Sequence, residues 1–332
     1  MGASAGGVEA LSRLVALLPE ELPAAILAVV HFPQSSTSVL PSILSSRGKM
    51  RATHAQDGEP TNLGHIYISP PGRHMLVDEC GIKLVQGPKE NGNRPAIDPL
   101  FRTAARSRGS RVASVLLSGL LDDGTLGTAA IRSANGIAIC QDPSEATFGD
   151  MPRNAINNAG VDFVLPLAEI AKKLVELAGR EVDAPQETAA TDPTGMSLDR
   201  LSRLEQCGHP SRFVCPECGG TLFELHEHGL IQFQCRIGHT YLPDSLAINQ
   251  EEALEAALWT ATRAIQENND LLRRMLARAE SHGYAITARH YRARLEEGVT
   301  RLDLLTRVLG LRRQGGATLA EEPQVESPVD AQ

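Results

Sequence analysis

Short runs of aliphatic and β-branched residues alternate with segments of helical period through the first 178 residues. Residues 25–30 (AILAVV), 112–117 (VASVLL), 136–140 and 161–165 are predominantly apolar and read as buried strands. Between them, residues 8–18, 38–46, 98–106, 125–134 and 167–177 carry apolar positions at helical spacing. The alternation predicts an α/β fold with a doubly wound, mostly parallel sheet. Residues 66–68, 75–78 and 82–86 lie between Pro-Gly and Cys-Gly breaks and predict a small antiparallel insertion.

The pattern then changes. Residues 179–203 are polar, Pro-containing and aperiodic, which predicts an interdomain linker. Residues 204–243 hold a Cys/His cluster. Residues 244–311 return to helical period, with Leu258, Ile265, Leu272 and Ala279 before the Ser281-His282-Gly283 break and Leu295, Leu302 and Leu309 after it. This predicts an α-helical hairpin with one apolar stripe per helix, Trp259 among its core positions. Residues 312–332 predict a disordered tail.

No apolar run reaches the ~18 residues of a membrane-spanning helix. With 32 Lys+Arg against 40 Asp+Glu, the net charge is −8 and gives no overall field for nucleic acid or anionic lipid. The first residues lack a basic segment followed by an apolar one, so no secretory signal is predicted and the expected location is cytoplasmic. The six Cys are unevenly placed, four of them within residues 207–235. Cys215 and Cys218 form a C-x2-C pair, and Cys235 with His239 supplies a second pair. Two such knuckles suit a tetrahedral Zn²⁺, and with all four positions filled by protein the metal would be structural. The segment therefore predicts a small zinc ribbon, with residues 221–225 and 230–234 as its strands. Cys207 is the alternative ligand; His209, His226 and His228 are further spares.

Three polar groups fall at the predicted carboxyl edge of the parallel sheet, where open α/β sheets bind ligands. Ser4 lies in Gly2-Ala3-Ser4-Ala5-Gly6-Gly7 ahead of a helix; such a turn can present a nucleophile, cradle a phosphate or simply turn the chain. His31 follows the strand at 25–30, as a base or as a plain strand cap. Asp122 and Asp123 follow the strand at 112–117, where a helix N-cap is the simpler role. Together they permit a Ser-His-Asp relay: His31 takes the Ser4 proton and the Asp orients the ring.

GASAGG, VVHFP at 29–33, PPGRHM at 70–75, NRPAIDPLFRTAA at 93–105, LLSGLLDDGTLG at 116–127 and FGDMPRNAI at 148–156 resemble the CheB-type protein-glutamate methylesterases, in that family's order and across residues 1–178. The resemblance implies Ser4, His31 and Asp123 as catalytic residues, with Asp123 preferred over Asp122. It also implies oxyanion donors from the backbone of Ala5 and Leu120, and no catalytic cofactor. The implied reaction is hydrolysis of glutamate γ-methyl esters on a chemoreceptor-type protein, releasing methanol, with deamidation of glutamine as a second activity. The partner would be that receptor, and the membrane would be reached only through it. Relative to the family, the apolar first strand and a receiver domain are missing from these residues, and Ala5 stands where Thr is frequent. The C-terminal ribbon and helices resemble an extension of receiver-less relatives. Two further readings remain: a docking module that keeps the fold without activity, and the same chemistry on another ester.

Overall fold

The computed structural model of the chain describes residues 1–33, 37–182, 204 and 206–315. Its first compact unit, Met1–Asn249, is built on a seven-stranded sheet in the order β3-β4-β2-β1-β7-β8-β9. The strands are β1 (Gly2–Ala3), β2 (Ile26–Val30), β3 (Arg51–His54), β4 (His65–Ile68), β7 (Ala113–Leu116), β8 (Ile137–Gln141) and β9 (Phe163–Leu165), every neighbouring pair parallel. Helices α1 (Gly7–Ala16), α2 (Leu40–Arg47), α3 (Ile97–Arg108), α4 (Thr125–Ser133), α5 (Asp150–Asn154) and α6 (Leu167–Ala178) complete the α/β part.

Side chains alternate across the sheet, as the two-residue repeat of a strand requires. Ala28, Val30, Ile66, Ile68, Val115, Leu117 and Ile139 enter one apolar layer with Leu11, Leu14 and Val15 of α1, Leu44 of α2 and Ile170 of α6. Val29, Tyr67, Leu116 and Cys140 enter the opposite layer with Ile97, Leu100 and Phe101 of α3 and Ile131 of α4. Each large aliphatic side chain buried this way contributes roughly 1.5–3 kcal/mol, so the two layers hold strands of only two to five residues.

Two sequence expectations change. Residues 66–68 belong to the parallel sheet as part of β4, not to an antiparallel insertion. The insertion is the single hairpin β5 (His74–Val77) and β6 (Ile82–Val85). The first strand is present in short form. Gly2 pairs with Val29 and Leu116, which places β1 at the centre of the sheet, and the Met1 ammonium donates to the Leu27 carbonyl at 2.6 Å. Burial pushes that ammonium down to about 5. A cavity of about 470 Å³ opens at this end of the sheet, lined by Met1, Leu27, Phe101 and Ala113, remote from the carboxyl edge where Ser4 lies.

The same unit contains a four-stranded antiparallel sheet, β10 (His209–Val214), β11 (Thr221–Glu227), β12 (Leu230–Cys235) and β13 (Thr240–Tyr241), around Leu222, Phe233 and Tyr241. Helix α7 (Pro243–Ser281) begins in it. The second unit starts at Gln250 and comprises the rest of α7 and α8 (Ala285–Gly315). Leu272, Ala279, Ala288 and Leu309 are buried there, whereas Leu254 and Trp259 are exposed, so Trp259 is not a core residue. Helix α8 runs to Gly315, past the expected start of the tail; the rest of that tail and most of the expected linker lie outside the described residues.

Candidate active site

Strands β1, β2 and β7 lie side by side, and the residues leaving their carboxyl ends meet. Ser4 follows β1 directly. Its N–H donates to the Ser118 carbonyl (3.0 Å), and its own carbonyl accepts from Gly7 (2.8 Å), closing a tight turn into α1. Gly6 makes that turn possible: its φ is +68°, and a Cβ there would lie 2.8 Å from the Ser118 hydroxyl. His31 follows β2, its N–H donating to Ala3 O (3.3 Å). His31 Nδ1 lies 3.0 Å from Ser4 Oγ, and its Nε2 lies 2.7 Å from Asp123 Oδ2. The structure thus brings Ser4, His31 and Asp123 together in that order.

Asp123 sits in a cage of donors. Oδ2 accepts from His31 Nε2 and from the N–H of Ile97 (2.7 Å); Oδ1 accepts from Asn91 Nδ2 (3.0 Å) and from the N–H groups of Asp98 (3.3 Å) and Gly124 (3.0 Å). Ile97 and Asp98 are the first two residues of α3, so the carboxylate also faces that helix's positive end. Burial pushes this carboxyl up, but the His31 hydrogen bond and charge, then Ile97 and Asn91, outweigh it and hold it below the ordinary value. A carboxylate can only accept, so Nε2 carries the imidazole proton. Nδ1 is left as the acceptor for the Ser4 hydroxyl.

The preceding residue does something else. Asp122 Oδ2 accepts from the N–H groups of Asp244 (3.0 Å) and Ser245 (3.2 Å), and Oδ1 accepts from the Ser245 hydroxyl. Its carboxylate therefore caps the start of α7. Neither aspartate caps its own following helix, α4, whose N-cap is Gly124. Burial pushes Asp122 up to about 6, against the Ser245 bonds that lower it. A carboxyl raised in the native state stabilises the fold fully below its unfolded value of 3.8, and that contribution disappears as pH rises through about 6. Asp122→Asn keeps an acceptor for the two N–H groups. The stability difference between it and the parent is expected to change between about pH 4 and 6 and to be flat above, by urea unfolding at several pH values.

The turn after β7 is fixed from both sides by the 148–151 segment. The Gly119 N–H donates to Phe148 O (2.9 Å), and the Met151 N–H donates back to Gly119 O (2.9 Å). A Cβ at Gly119 would lie 2.5 Å from Met151 Cε and 3.0 Å from Ser4 Cβ, so only glycine lets this turn pass beside the nucleophile candidate. Leu121 takes φ +63°, which costs about 1–2 kcal/mol for a residue with a Cβ, and Asn154 Nδ2 holds its carbonyl at 2.8 Å. The N–H groups of Ser4 and Gly119 are occupied. Those of Ala5 and Leu120 have no hydrogen-bond partner among the described residues.

Several residues around Asp123 carry no local pattern in the sequence. Asn91 bridges Asp123 and Asp98, reaching Oδ2 of the latter at 3.0 Å. Asp98 also accepts from Gly127 (2.6 Å). Burial first, and then the Asp123 charge, push Asp98 well above the usual carboxyl range. The two neighbouring carboxyls are thereby driven apart, with Asp123 the one that stays ionised. His74, buried and held neutral by desolvation, accepts from Ala96 N–H (3.2 Å) and donates to Pro88 O (2.8 Å), fastening the loop that carries Asn91.

In the second sheet, Sγ of Cys215, Cys218 and Cys235 and a ring nitrogen of His239 all lie within 4.8 Å of one another. Cys215–His239 is 3.5 Å, Cys235–His239 3.6 Å and Cys218–Cys235 3.7 Å. The edges of a zinc tetrahedron with ~2.3 Å Zn–S bonds are about 3.7 Å, so the donor set fits that ion. Cys207, His209, His226 and His228 are not part of the cluster.

Residues 1–174 match the family model of the CheB methylesterase. Among curated relatives, the protein-glutamate methylesterase/protein-glutamine glutaminase 2 of Methanosarcina acetivorans is 37% identical over 187 residues, 54% of this chain and 52% of that protein. The enzyme of the same name from Rhizobium johnstonii is 35% identical over 179 residues, 53% of this chain and 49% of that protein. The chain thus spans about half the length of these relatives. The crystal structure of the Thermotoga maritima CheB methylesterase catalytic domain is 32% identical, with a TM-score of 0.52, and the match covers 53% of this chain and 95% of that one. With more than half of its length matched and its sheet superposing on that domain, the chain belongs to the CheB methylesterase family.

Proposed function

We propose that the chain is a serine esterase that removes methyl groups from glutamate γ-esters of a chemoreceptor-type protein and deamidates glutamine side chains there. The carrying observation is the continuous path from Ser4 Oγ through His31 Nδ1 and Nε2 to Asp123 Oδ2. Ser4 Oγ attacks the ester carbonyl carbon and its proton passes to His31 Nδ1. The N–H groups of Ala5 and Leu120 receive the oxyanion. Collapse breaks the C–O bond, and His31 returns the proton to the departing methoxide, giving methanol. Water, deprotonated by His31, then cleaves the acyl-Ser4 ester and frees glutamate; with glutamine the first leaving group is ammonia. No cofactor enters these steps. No helix of the described residues is long and apolar enough to cross a membrane.

The test is mass spectrometry of methylated receptor helices incubated with the chain. Loss of one methyl per modified glutamate, with matching methanol, is the expected result; receptor helices unchanged at enzyme excess would overturn the substrate.

Cys215, Cys218, Cys235 and His239 are the proposed ligands of one structural Zn²⁺. Apolar side chains inside the four-stranded sheet are few, and metal binding of this kind contributes folding free energy directly. One zinc per chain is expected by elemental analysis, with Cys235→Ser losing it. Chelation is expected to abolish amide protection in β10–β13. Protection that survives complete metal loss would rule the site out.

A further inference from the structure

The four-stranded sheet and the start of α7 join the α/β part beside Asp123, through residues 240–245. The Asn91 N–H donates to Thr240 O (2.7 Å), and the Leu242 N–H donates to Asn91 Oδ1 (2.9 Å). Two residues further on, Asp244 and Ser245 are held by Asp122, and Asn154 Nδ2 bonds both Leu121 O (2.8 Å) and Asp244 Oδ2 (3.1 Å). The contact thus includes hydrogen bonds to the two residues flanking the relay, Asp122 in sequence and Asn91 in space, beside others involving Lys89, Ser133 and Asn154.

Asn91 has a backbone φ of +50°, a region Asn tolerates better than most side chains, and is 3% exposed. Its amide has one possible orientation. The NH₂ must face the Asp123 carboxylate, which can only accept, and reaches Asp98 Oδ2 as well, while the oxygen must face the Leu242 N–H, which donates. A side chain that gives on one side and receives on the other makes the position of residues 240–245 part of the setting of Asp123. Thr240 directly follows His239, one of the four clustered metal-ligand candidates.

We propose that Asn91 is a positioning residue for Asp123 and that its setting depends on the metal-ligand module, so disturbing the cluster slows the chemistry at Ser4 from a distance. This rests on the esterase reading above. Asn91→Asp keeps size and the acceptor for Leu242 but offers no donor to Asp123 or Asp98. The rate of covalent labelling of Ser4 by a fluorophosphonate, which needs no receptor, should fall about tenfold or more, as expected for a slightly misplaced base. The low-field proton resonance of His31 Nε2–H should shift with it. Cys235→Ser in the full chain should lower labelling comparably, and the double variant should lose little beyond either single one.

Equal labelling and an unmoved resonance in Asn91→Asp would overturn the proposal, as would losses that multiply in the double variant. Asn91→Ser gives the same reading without added charge if the Asp variant does not fold. A wild-type chain that takes no label overturns the esterase reading itself. Labelled wild type with unaffected variants overturns only the linkage.

Discussion

Ser4→Ala is expected to abolish methanol release while leaving the fold intact. Among the described residues the Ser4 side chain makes one hydrogen bond, to His31, and the turn is held by backbone bonds to Ser118 and Gly7 that alanine retains. Stability should therefore change by less than about 1 kcal/mol. Loss of the attacking oxygen in a serine hydrolase costs roughly 10⁶-fold in turnover, below detection in a methanol assay. The comparison needs the two proteins at equal concentration on methylated receptor membranes, with urea unfolding alongside. Release persisting at more than a few per cent of wild type would remove Ser4 from the chemistry.

Asp123→Asn should act on both activity and stability. Five donors converge on two carboxylate oxygens, and an amide replaces one of those oxygens with a donor. With the NH₂ toward His31 the buried Ile97 N–H loses its acceptor, and with it turned the other way three donors do, at about 1–3 kcal/mol for each buried N–H. If the NH₂ faces His31, Nε2 must become the acceptor and the ring proton moves to Nδ1, opposite Ser4. The base is then blocked, and a fall of about 10⁴-fold in turnover is expected. Asp122→Asn, one position earlier, faces α7 and should keep the rate. A variant at 123 within tenfold of wild type, or a larger loss at 122, would contradict the assignment of these two residues.

The sequence disclosed those parts of the fold where burial is two-sided. Strands β2, β7 and β8 read as apolar runs because both faces are covered by helices, whereas β9, at the sheet edge, leaves Val164 exposed. β3 has the sequence RATH, lies at the sheet edge and carries no apolar run, so nothing local marks it. β4 was drawn toward the insertion by the Pro-Gly breaks after it, although its alternating Ile66, Tyr67 and Ile68 feed both layers. At the candidate site, Ser4, His31 and Asp123 could be named because each follows a strand or a glycine turn. Asn91 could not: its partners are Asp98, Asp123 and Leu242, the last 151 residues away, and its φ belongs to an ordinary-looking Glu-Asn-Gly turn. The resemblance distinguished Asp123 from Asp122; in the structure the two carboxylates point to different helices.

The seam between the α/β part and the four-stranded sheet has an evolutionary reading. The match to the family model ends at residue 174, but the compact unit continues to Asn249. Recombination at the polar stretch between them would deliver an α/β half in which the Asp122 carboxylate and Asn91 Oδ1 have lost their donors. Any replacement partner would have to bring N–H groups for both, at the same spacing, to be accepted. The two halves are therefore expected to be inherited as a pair, with changes at 91 and 122 accompanied by changes near 240–245.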